Sequence, residues 1–456
     1  MTTPSSSLSS LSSLSFDLII SGGTVVNHAG RAQADIGIRN GRFAALGNLS
    51  AAKAASRFDA RGLTILPGVI DTQVHMREPG TEHKEDLATG TAGAALGGVT
   101  GIFEMPNTKP STTTAEALND KFARAKGRAW VDHAFYMGGC AENADQLSEL
   151  ERIPGCSGVK VFMGSSTGNL LVADDATLER IVRSIRRRMA VHCEDESRLI
   201  ERRSLIPVTG ATAHLHPVWR DEQTALLATM RLVNLAKRYG KRVHTLHITT
   251  AEEMDFLRQH RDVASVEVLA NHLTLVAPDC YDRLGTYAQM NPPIRDERHR
   301  AALWAAVADG TVDVVATDHA PHTRAEKDAG YPNSPSGMPG VQTFVGLMLD
   351  HVAKGRLSLE RLVDLTSAGP QRLFGLVNKG RIACGYDADL TIVDLQANHT
   401  ITDAEIASKV GWTPFAGMTV TGWPQATIIR GNVVMRDGQL IGKAQGTPMR
   451  FHECLA

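Results

Sequence analysis

The residues with the clearest chemical potential stand at the ends of short apolar runs. His192, His247 and Asp318 each end such a run, and His322 closes the segment 317–322. Imidazole and carboxylate groups are the usual protein ligands of divalent metals. A lone buried histidine is more often a core residue, but several strand ends that carry these groups are hard to explain as packing. The pattern predicts a metal-binding site.

The segment 69–80 contributes a further polar face. Residues 69–74 have the composition of a β-strand, and Arg77 lies in the turn that follows. Because strand side chains alternate between faces, Asp71, Gln73 and His75 share one face. Alone, this pattern also fits an edge strand with a solvated polar side. Together with the other strand ends, it favours a contribution to the metal site.

Lys160 lies in the middle of the apolar segment 159–163. Lysine is almost never fully buried without a partner, because an unpaired ammonium is costly to bury. One interpretation is a lysine that reaches the rim of the sheet or pairs with a carboxylate. The other is carboxylation of its amine by carbon dioxide, which gives an anion able to bridge two divalent metals. Carboxylation would remove the cost of burial.

These residues require a fold that gathers the ends of many strands. The candidate strands are 69–75, 100–105, 133–137, 159–163, 189–192, 243–249, 265–269 and 312–317. Helical spacing and charge mark the segments 114–126, 174–188, 222–239 and 297–309. Repeated strand–helix units over roughly 250–300 residues favour an α/β fold, the (β/α)8 TIM-type barrel, whose chemistry collects at the C-terminal strand ends. A doubly wound open sheet is the main rival, but no Gly-x-Gly-x-x-Gly motif follows an early strand.

Both ends of the chain show the alternating pattern of short antiparallel strands, with turn signals at Asn40-Gly41 and Gly431-Asn432. We therefore expect a small β-sandwich domain built from both termini around an inserted barrel. The predicted limits are 1–15 for a disordered tail, 16–66 and 378–456 for the two parts of the β-sandwich, and 67–377 for the barrel.

Composition argues against several other classes of protein. The 456 residues include 48 Lys and Arg against 49 Asp and Glu, so no global field favours nucleic acid or an anionic membrane. The six cysteines lack paired spacing and are interpreted as reduced thiols. The uncharged stretch 88–103 is too short and too rich in Gly and Thr to span a bilayer. We expect a soluble, cytoplasmic protein.

Four motifs, 73–80, 104–108, 290–295 and 317–322, resemble those of the cyclic amidohydrolases, and among these most closely the dihydroorotases. The resemblance extends over about 16–450 and implies a metal-dependent hydrolase of cyclic amides with the barrel and β-sandwich expected above. It implies as metal ligands His75, Lys160 in carboxylated form, His192, His247 and Asp318. It implies that Asp318 is also the catalytic proton carrier. The substrate-binding residues that it implies are Arg77, Asn107, Asn291 and His322.

Arg77 suits this role because a guanidinium meets both oxygens of a carboxylate. The alternative is a salt bridge with Glu78 or Glu82 at the end of the loop. Gln73 departs from the family, whose usual opening is His-x-His. A glutamine oxygen is a weaker zinc ligand than imidazole, so the site of Gln73, His75 and Asp318 is expected to be weak or empty. One or two Zn2+ ions per chain, or another divalent metal, fit this pattern.

The resemblance favours a dihydroorotase that interconverts L-dihydroorotate and N-carbamoyl-L-aspartate in de novo pyrimidine synthesis. An allantoinase or hydantoinase is one alternative. Another is a catalytically silent scaffold subunit for a transcarbamoylase, which Gln73 alone supports. The expected partners are a small-molecule substrate and further copies of the same chain.

Overall fold

The computed structural model describes residues 15–166 and 170–454. Its central part is a barrel of parallel strands, and further short strands come before and after the barrel in the chain. The predicted tail 1–15 lies outside the described residues, apart from Ser15. The first strands are β1 Ser15–Ser21, β2 Thr24–Asn27, β3 Gly30–Gln33, β4 Asp35–Arg39, β5 Arg42–Gly47, β6 Lys53–Asp59 and β7 Thr64–Pro67. The barrel strands are β8 Val69–Val74, β9 Val99–Glu104, β10 Asp132–Gly138, β11 Cys156–Phe162, β12 Met189–His192, β13 Val243–Thr245, β14 Ala264–Leu269 and β15 Val314–Ala316. The last strands are β16 Leu390–Thr400, β17 Thr419–Ile429, β18 Asn432–Arg436 and β19 Gln439–Leu440.

Strands β8 to β15 form one sheet in sequence order, and all of their pairings are parallel. The ring closes where Val74 pairs with His319 and the His75 N–H donates to the His319 carbonyl at 2.7 Å. A closed parallel ring with helical connections is the (β/α)8 architecture. The predicted fold class is therefore confirmed, and the alternative prediction of a doubly wound open sheet is wrong.

The helices are α1 Leu87–Leu96, α2 Ala115–Ala125, α3 Leu147–Leu150, α4 Asp175–Ser184, α5 Glu196–Arg202, α6 His216–Trp219, α7 Glu222–Tyr239, α8 Ala251–Arg258, α9 Ala270–Thr274, α10 Asp279–Leu284, α11 Glu297–Asp309, α12 Arg324–Lys327, α13 Phe344–Ala353, α14 Leu359–Val363 and α15 Gly369–Phe374. Helices α1 to α11 lie between successive barrel strands in the chain, and α12 to α15 lie between β15 and β16. Helix α7 has its predicted limits because Asp221 accepts the Thr224 N–H at 3.0 Å and Gly240 ends the helix at a φ of 60°. No helix in the described ranges is long and apolar enough to cross a membrane.

Two sheets form the second domain, as predicted. One has the order β5-β4-β1-β6, and the other has the order β19-β18-β17-β16-β7-β2-β3 and unites both ends of the chain. Their apolar faces share a core that includes Ile20, Ile38 and Ile392. The Asn40-Gly41 hairpin forms as expected, whereas the turn predicted at Gly431-Asn432 is centred one residue earlier, with Arg430 at a φ of 44°. The exact domain limits stay predictions.

The C-terminal segment closes the N-terminal end of the barrel. The ring of Phe103, in β9, lies 5.1 Å from that of Phe374 and 5.8 Å from that of Phe451. These edge-to-face contacts fill the interior at that end. The opposite end, where the strands finish, is left for the polar residues.

Candidate active site

The predicted site residues stand at the C-terminal ends of the barrel strands. His192 is the last residue of β12, and His75 directly follows β8. His247 and Asp318 lie two residues beyond β13 and β15, which are shorter than predicted because these two residues have φ values of 39° and 48°. Arg77 has a φ of 59°. Positive φ is uncommon outside glycine, and such strained residues cluster at functional sites.

One pair of candidate metal ligands is formed by two buried imidazoles. His192 Nδ1 lies 3.0 Å from His247 Nε2. Burial lowers the pKa of both rings, so they are neutral near pH 7. His192 Nε2 is 2.9 Å from Glu194, which Arg220 holds in turn at 3.0 Å. The carboxylate thus fixes the orientation of the ring, as the partners of metal-bound histidines do.

A second pair of candidate metal ligands lies where β15 meets β8 and the ring closes. His75 Nε2 is 3.0 Å from Asp318 Oδ1, and His75 Nδ1 is 2.8 Å from Asn107 Oδ1. Burial alone would raise the pKa of Asp318, but the hydrogen bond from His75 and the charges of His75, His247 and Lys160 outweigh it and hold the pKa below the usual value. Asp318 is therefore an ionised acceptor at neutral pH. The nearby Gln73 is 2 % exposed, and its Oε1 has no hydrogen-bond partner.

Lys160 is 1 % exposed, and its Nζ has no hydrogen-bond partner among residues 15–166 and 170–454. The amine lies 4.4 Å from the centroid of the Phe162 ring, and burial lowers its pKa to about 7. Its charge acts on the pKa of all four other candidate ligands, which places it among them: His75, His192, His247 and Asp318. The alternatives of a lysine at the rim or paired with a carboxylate are therefore wrong.

These donors fit a divalent metal, although their arrangement is not that of a bound site. In the described ranges, no group of three or more His, Cys, Asp or Glu side chains is placed to hold a metal ion. The predicted set depends on Lys160 and Gln73, and the two imidazoles of His192 and His247 are in direct contact. Two nitrogens bound to one tetrahedral zinc lie about 3.3 Å apart. The distance between His192 Nδ1 and His247 Nε2 would therefore have to increase by only about 0.3 Å to admit the ion.

Arg77 is buried beside this cluster and pairs with no carboxylate of the described residues. Its Nε donates to the Pro321 carbonyl at 3.2 Å, and its Nη2 lies 3.1 Å from His322 Nε2. The alternative pairing with Glu78 or Glu82 is wrong, since Glu78 binds Arg128 at 2.7 Å and Glu82 faces Arg124 at 3.9 Å. A buried guanidinium with free hydrogen-bonding capacity is suited to an anionic ligand.

His322 is held between several polar groups. Lys84 Nζ lies 3.2 Å from its Nδ1, and the Ser336 carbonyl lies 3.0 Å from its Nε2. Burial, with the charges of Arg77 and Lys84, lowers the pKa of His322 and keeps it neutral. The fourth predicted substrate-binding residue, Asn291, has a different partner: its Oδ1 accepts a hydrogen bond from His216 Nε2 at 2.9 Å.

Sequence reasoning missed two of these neighbours. Glu194 could have been found, because a carboxylate two residues after a strand-end histidine returns to the same face. Lys84 could not, because it lies in the charged segment before α1 and only the closed fold brings it to His322.

The amidohydrolase family model matches residues 64–434. The chain belongs to the amidohydrolase family. This amidohydrolase is 39% identical over 394 residues to a dihydroorotase of Halobacterium salinarum, with 85% of this chain and 89% of the relative covered. It is 35% identical to a dihydroorotase of Methanosarcina acetivorans, with 90% of each covered. It is 34% identical to a dihydroorotase of Bacillus subtilis, with 93% of this chain and 99% of the relative covered.

Solved structures similar to this amidohydrolase include a hydantoinase and a dihydropyrimidinase. An L-hydantoinase (dihydropyrimidinase) from Arthrobacter aurescens matches with a TM-score of 0.91 and 30% identity, covering 95% of this chain and 100% of the other. A dihydropyrimidinase from Brevibacillus agri matches with a TM-score of 0.89 and 28% identity, covering 96% of this chain and 99% of the other. Both the barrel and the sheet domain are therefore shared with these enzymes.

Proposed function

We propose that this hydrolase of cyclic amides is a dihydroorotase, which interconverts L-dihydroorotate and N-carbamoyl-L-aspartate in de novo pyrimidine synthesis. The observation that carries the proposal is the buried Arg77, which makes no ion pair with a carboxylate in the described part of the chain and lies beside His322. L-Dihydroorotate has a carboxylate on its ring, whereas hydantoin and allantoin have none. The curated relatives named above support the same substrate.

The metal centre is part of the proposal. Carboxylated Lys160, His192 and His247 would hold one Zn2+ or other divalent ion, while His75, Asp318 and the weak ligand Gln73 would hold a second ion less tightly. The ammonium first loses one proton, and addition of carbon dioxide to the resulting neutral amine releases a second proton, so a buried cation becomes an anion. When bound, such an ion supplies activation of water and polarisation of a carbonyl.

The side chains account for binding and proton transfer. Arg77 and His322 hold the substrate carboxylate, and Asn107 and Asn291 are assigned to the ring amides. Asp318 accepts a proton from the attacking water and gives it to the ring nitrogen as the carbon–nitrogen bond breaks. In the direction of synthesis, the same carboxylate removes a proton from the attacking nitrogen of N-carbamoyl-L-aspartate.

A direct comparison of L-dihydroorotate, hydantoin and allantoin tests the substrate assignment. The metal-loaded protein is expected to hydrolyse L-dihydroorotate with the highest kcat/KM, and dialysis against a chelator is expected to abolish that activity. Faster hydrolysis of hydantoin or allantoin would replace the proposal by that alternative. No turnover of any of the three by metal-loaded protein would favour the silent scaffold.

Variants test the roles of the two charged side chains. Asp318→Asn should lower kcat by about 100-fold or more, because the proton carrier is lost. Arg77→Gln should lower kcat/KM for L-dihydroorotate by about 100-fold, since a charge-assisted hydrogen bond contributes about 1.5–3 kcal/mol. Arg124→Gln, which removes a half-buried guanidinium paired most closely with Asp120, is the control and should leave kcat/KM unchanged. Full activity in Asp318→Asn protein would refute its role.

The expected association with further copies of the chain, or with a transcarbamoylase, and the cytoplasmic location stay predictions. Sedimentation of the purified protein, alone and with a transcarbamoylase, tests the two associations.

A further inference from the structure

A second polar cleft lies at the end of the barrel opposite the candidate active site. It encloses about 220 Å³ and is lined by the beginnings of neighbouring barrel strands and by the C-terminal segment. Arg188 directly precedes β12, and Arg242 directly precedes β13. Because a strand rises about 3.3 Å per residue, Arg188 is about 13 Å from His192 along β12. The cleft is therefore separate from the metal ligands.

Positive charge dominates the lining of this cleft. Its charged residues are Arg187, Arg188, Arg242, Arg372 and Glu453, with His452 beside them. Arg372 is paired with Asp364 at 2.7 Å. Within the described ranges, the other three arginines make no ion pair with a carboxylate. This local excess of cations contrasts with the net charge of -1 for the whole chain.

The arginines differ in how their donors are used. Arg187 is 5 % exposed and donates to the carbonyls of Glu151 and Cys156 at 2.8 and 2.7 Å, so packing alone can account for it. Arg188 donates through Nη1 to the Val243 carbonyl and to Ser265 Oγ at 3.0 and 3.1 Å, and its buried Nε has no hydrogen-bond partner in the part of the chain that the structure describes. Burial and the charge of Arg242 lower the pKa of Arg188 to about 10.

We propose that this cleft, here called the arginine cleft, binds a small tetrahedral oxyanion of the phosphate class, either inorganic phosphate or the phosphate group of a monoester. Arginine forks match the geometry of phosphate oxygens. The anion would offset the repulsion between Arg188 and Arg242 and accept from the exposed guanidinium of Arg242. The volume suits a phosphate group, since pockets for drug-sized ligands are about 300–1,000 Å³. A purely structural role would not account for three arginines that line one cleft without an ion pair to a carboxylate in the described part of the chain.

Calorimetric titration of the full-length, metal-loaded protein with inorganic phosphate and with ribose 5-phosphate tests this proposal. We expect saturable binding at one site per chain, weakened about tenfold or more in the double variant R188Q/R242Q, as expected for the loss of about 1.4 kcal/mol or more. Tighter binding of ribose 5-phosphate would identify a monoester as the ligand, and equal or weaker binding would identify inorganic phosphate.

The matched control is R180Q/R183Q, which removes two charges from the exposed face of α4 nearby and should change the affinity by less than about twofold. R77Q should also leave the affinity unchanged, because Arg77 lies at the other end of the barrel. R188Q removes two hydrogen bonds, so the single variant R242Q, at an exposed residue, provides an independent test and should weaken binding about fivefold.

Added phosphate should also raise the Tm of the wild-type protein and of R180Q/R183Q, but not that of R188Q/R242Q. Three results would overturn the proposal: no saturable binding at millimolar phosphate, an equal loss of affinity in the two double variants, or a loss of binding in R77Q.

Discussion

At the scale of single residues, Gln73 sets the expected metal content. Its buried Oε1 has no hydrogen-bond partner and belongs to the weaker half of the proposed metal centre. Replacement by histidine would supply an imidazole in place of an amide, and zinc favours imidazole. We expect Gln73→His to raise bound zinc from about one to about two ions per chain, measured by elemental analysis after dialysis.

Gln396→His is the control for that experiment, because Gln396 is exposed on β16 in the sheet domain. It should leave the zinc content unchanged. If Gln73→His and Gln396→His contain equal amounts of zinc, the argument that residue 73 limits the second ion is wrong.

The sequence predicted where the polar residues stand but not how they contact one another. Lys160 was singled out because an ammonium in an apolar strand is anomalous, and the fold buries it as expected. The contact between His192 and Glu194 and the approach of Lys84 to His322 depend on side-chain directions and loop paths that are absent from local patterns. The roles of these residues stay predictions.

At the scale of elements, Lys327 organises the loop that covers the strand ends. It ends α12, is fully buried, and donates to the carbonyls of Gln289, Pro335 and Gly337 at 3.3, 2.8 and 3.1 Å. The segment that it fixes includes Ser336, whose carbonyl contacts His322. Lys327 is thus a positioning residue for the proposed carboxylate site.

We expect Lys327→Met to raise KM for L-dihydroorotate about tenfold while kcat changes less than about threefold, because the loop is loosened but the metal ligands are retained. Steady-state kinetics measures both constants. Lys354→Met, at an exposed lysine that directly follows α13 and pairs with Asp350 at 2.5 Å, should change neither. A fall in kcat with an unchanged KM would contradict a role in substrate positioning.

Element boundaries were predicted well where local capping decides them and poorly where backbone strain does. Helix α7 has the predicted limits because Asp221 and Gly240 cap it. Strands β13 and β15 end early because His247 and Asp318 adopt positive φ, and nothing in an apolar strand pattern indicates that conformation. Both shortened strands therefore end within two residues of a proposed ligand.

At the scale of the whole molecule, the alternation of strands and helices predicted the barrel, and the similar texture of both termini predicted the joint sheet domain. The sequence could not predict the ionic cluster that connects them. Lys379 Nζ lies 2.7 Å from Asp132, at the start of β10, and 2.5 Å from Asp389, next to β16. Arg430, in the turn before β18, also binds Asp132.

This cluster should couple the stability of the two domains. Lys379→Met leaves Asp132 and Asp389 buried with too little positive charge, so the free energy of unfolding should fall by about 3–5 kcal/mol. Urea denaturation at pH 7 measures this change. Lys443→Met, at an exposed lysine in the C-terminal segment, is the control and should have little effect.

The stability that this cluster provides should also depend on pH, and it should fall in acid. Burial alone would raise the pKa of Asp132, but Lys379 and Arg430 outweigh it and lower the pKa to about 2. Because the folded-state pKa is below the ordinary value of 3.8, the stabilisation is complete above about pH 4 and is lost as the pH falls toward 2. Asp132→Asn should therefore be less stable than wild type at pH 7, and the difference in unfolding free energy should shrink between pH 4 and 2. A difference that stays constant over this range would show that the charge of Asp132 does not stabilise the connection between barrel and sheet domain.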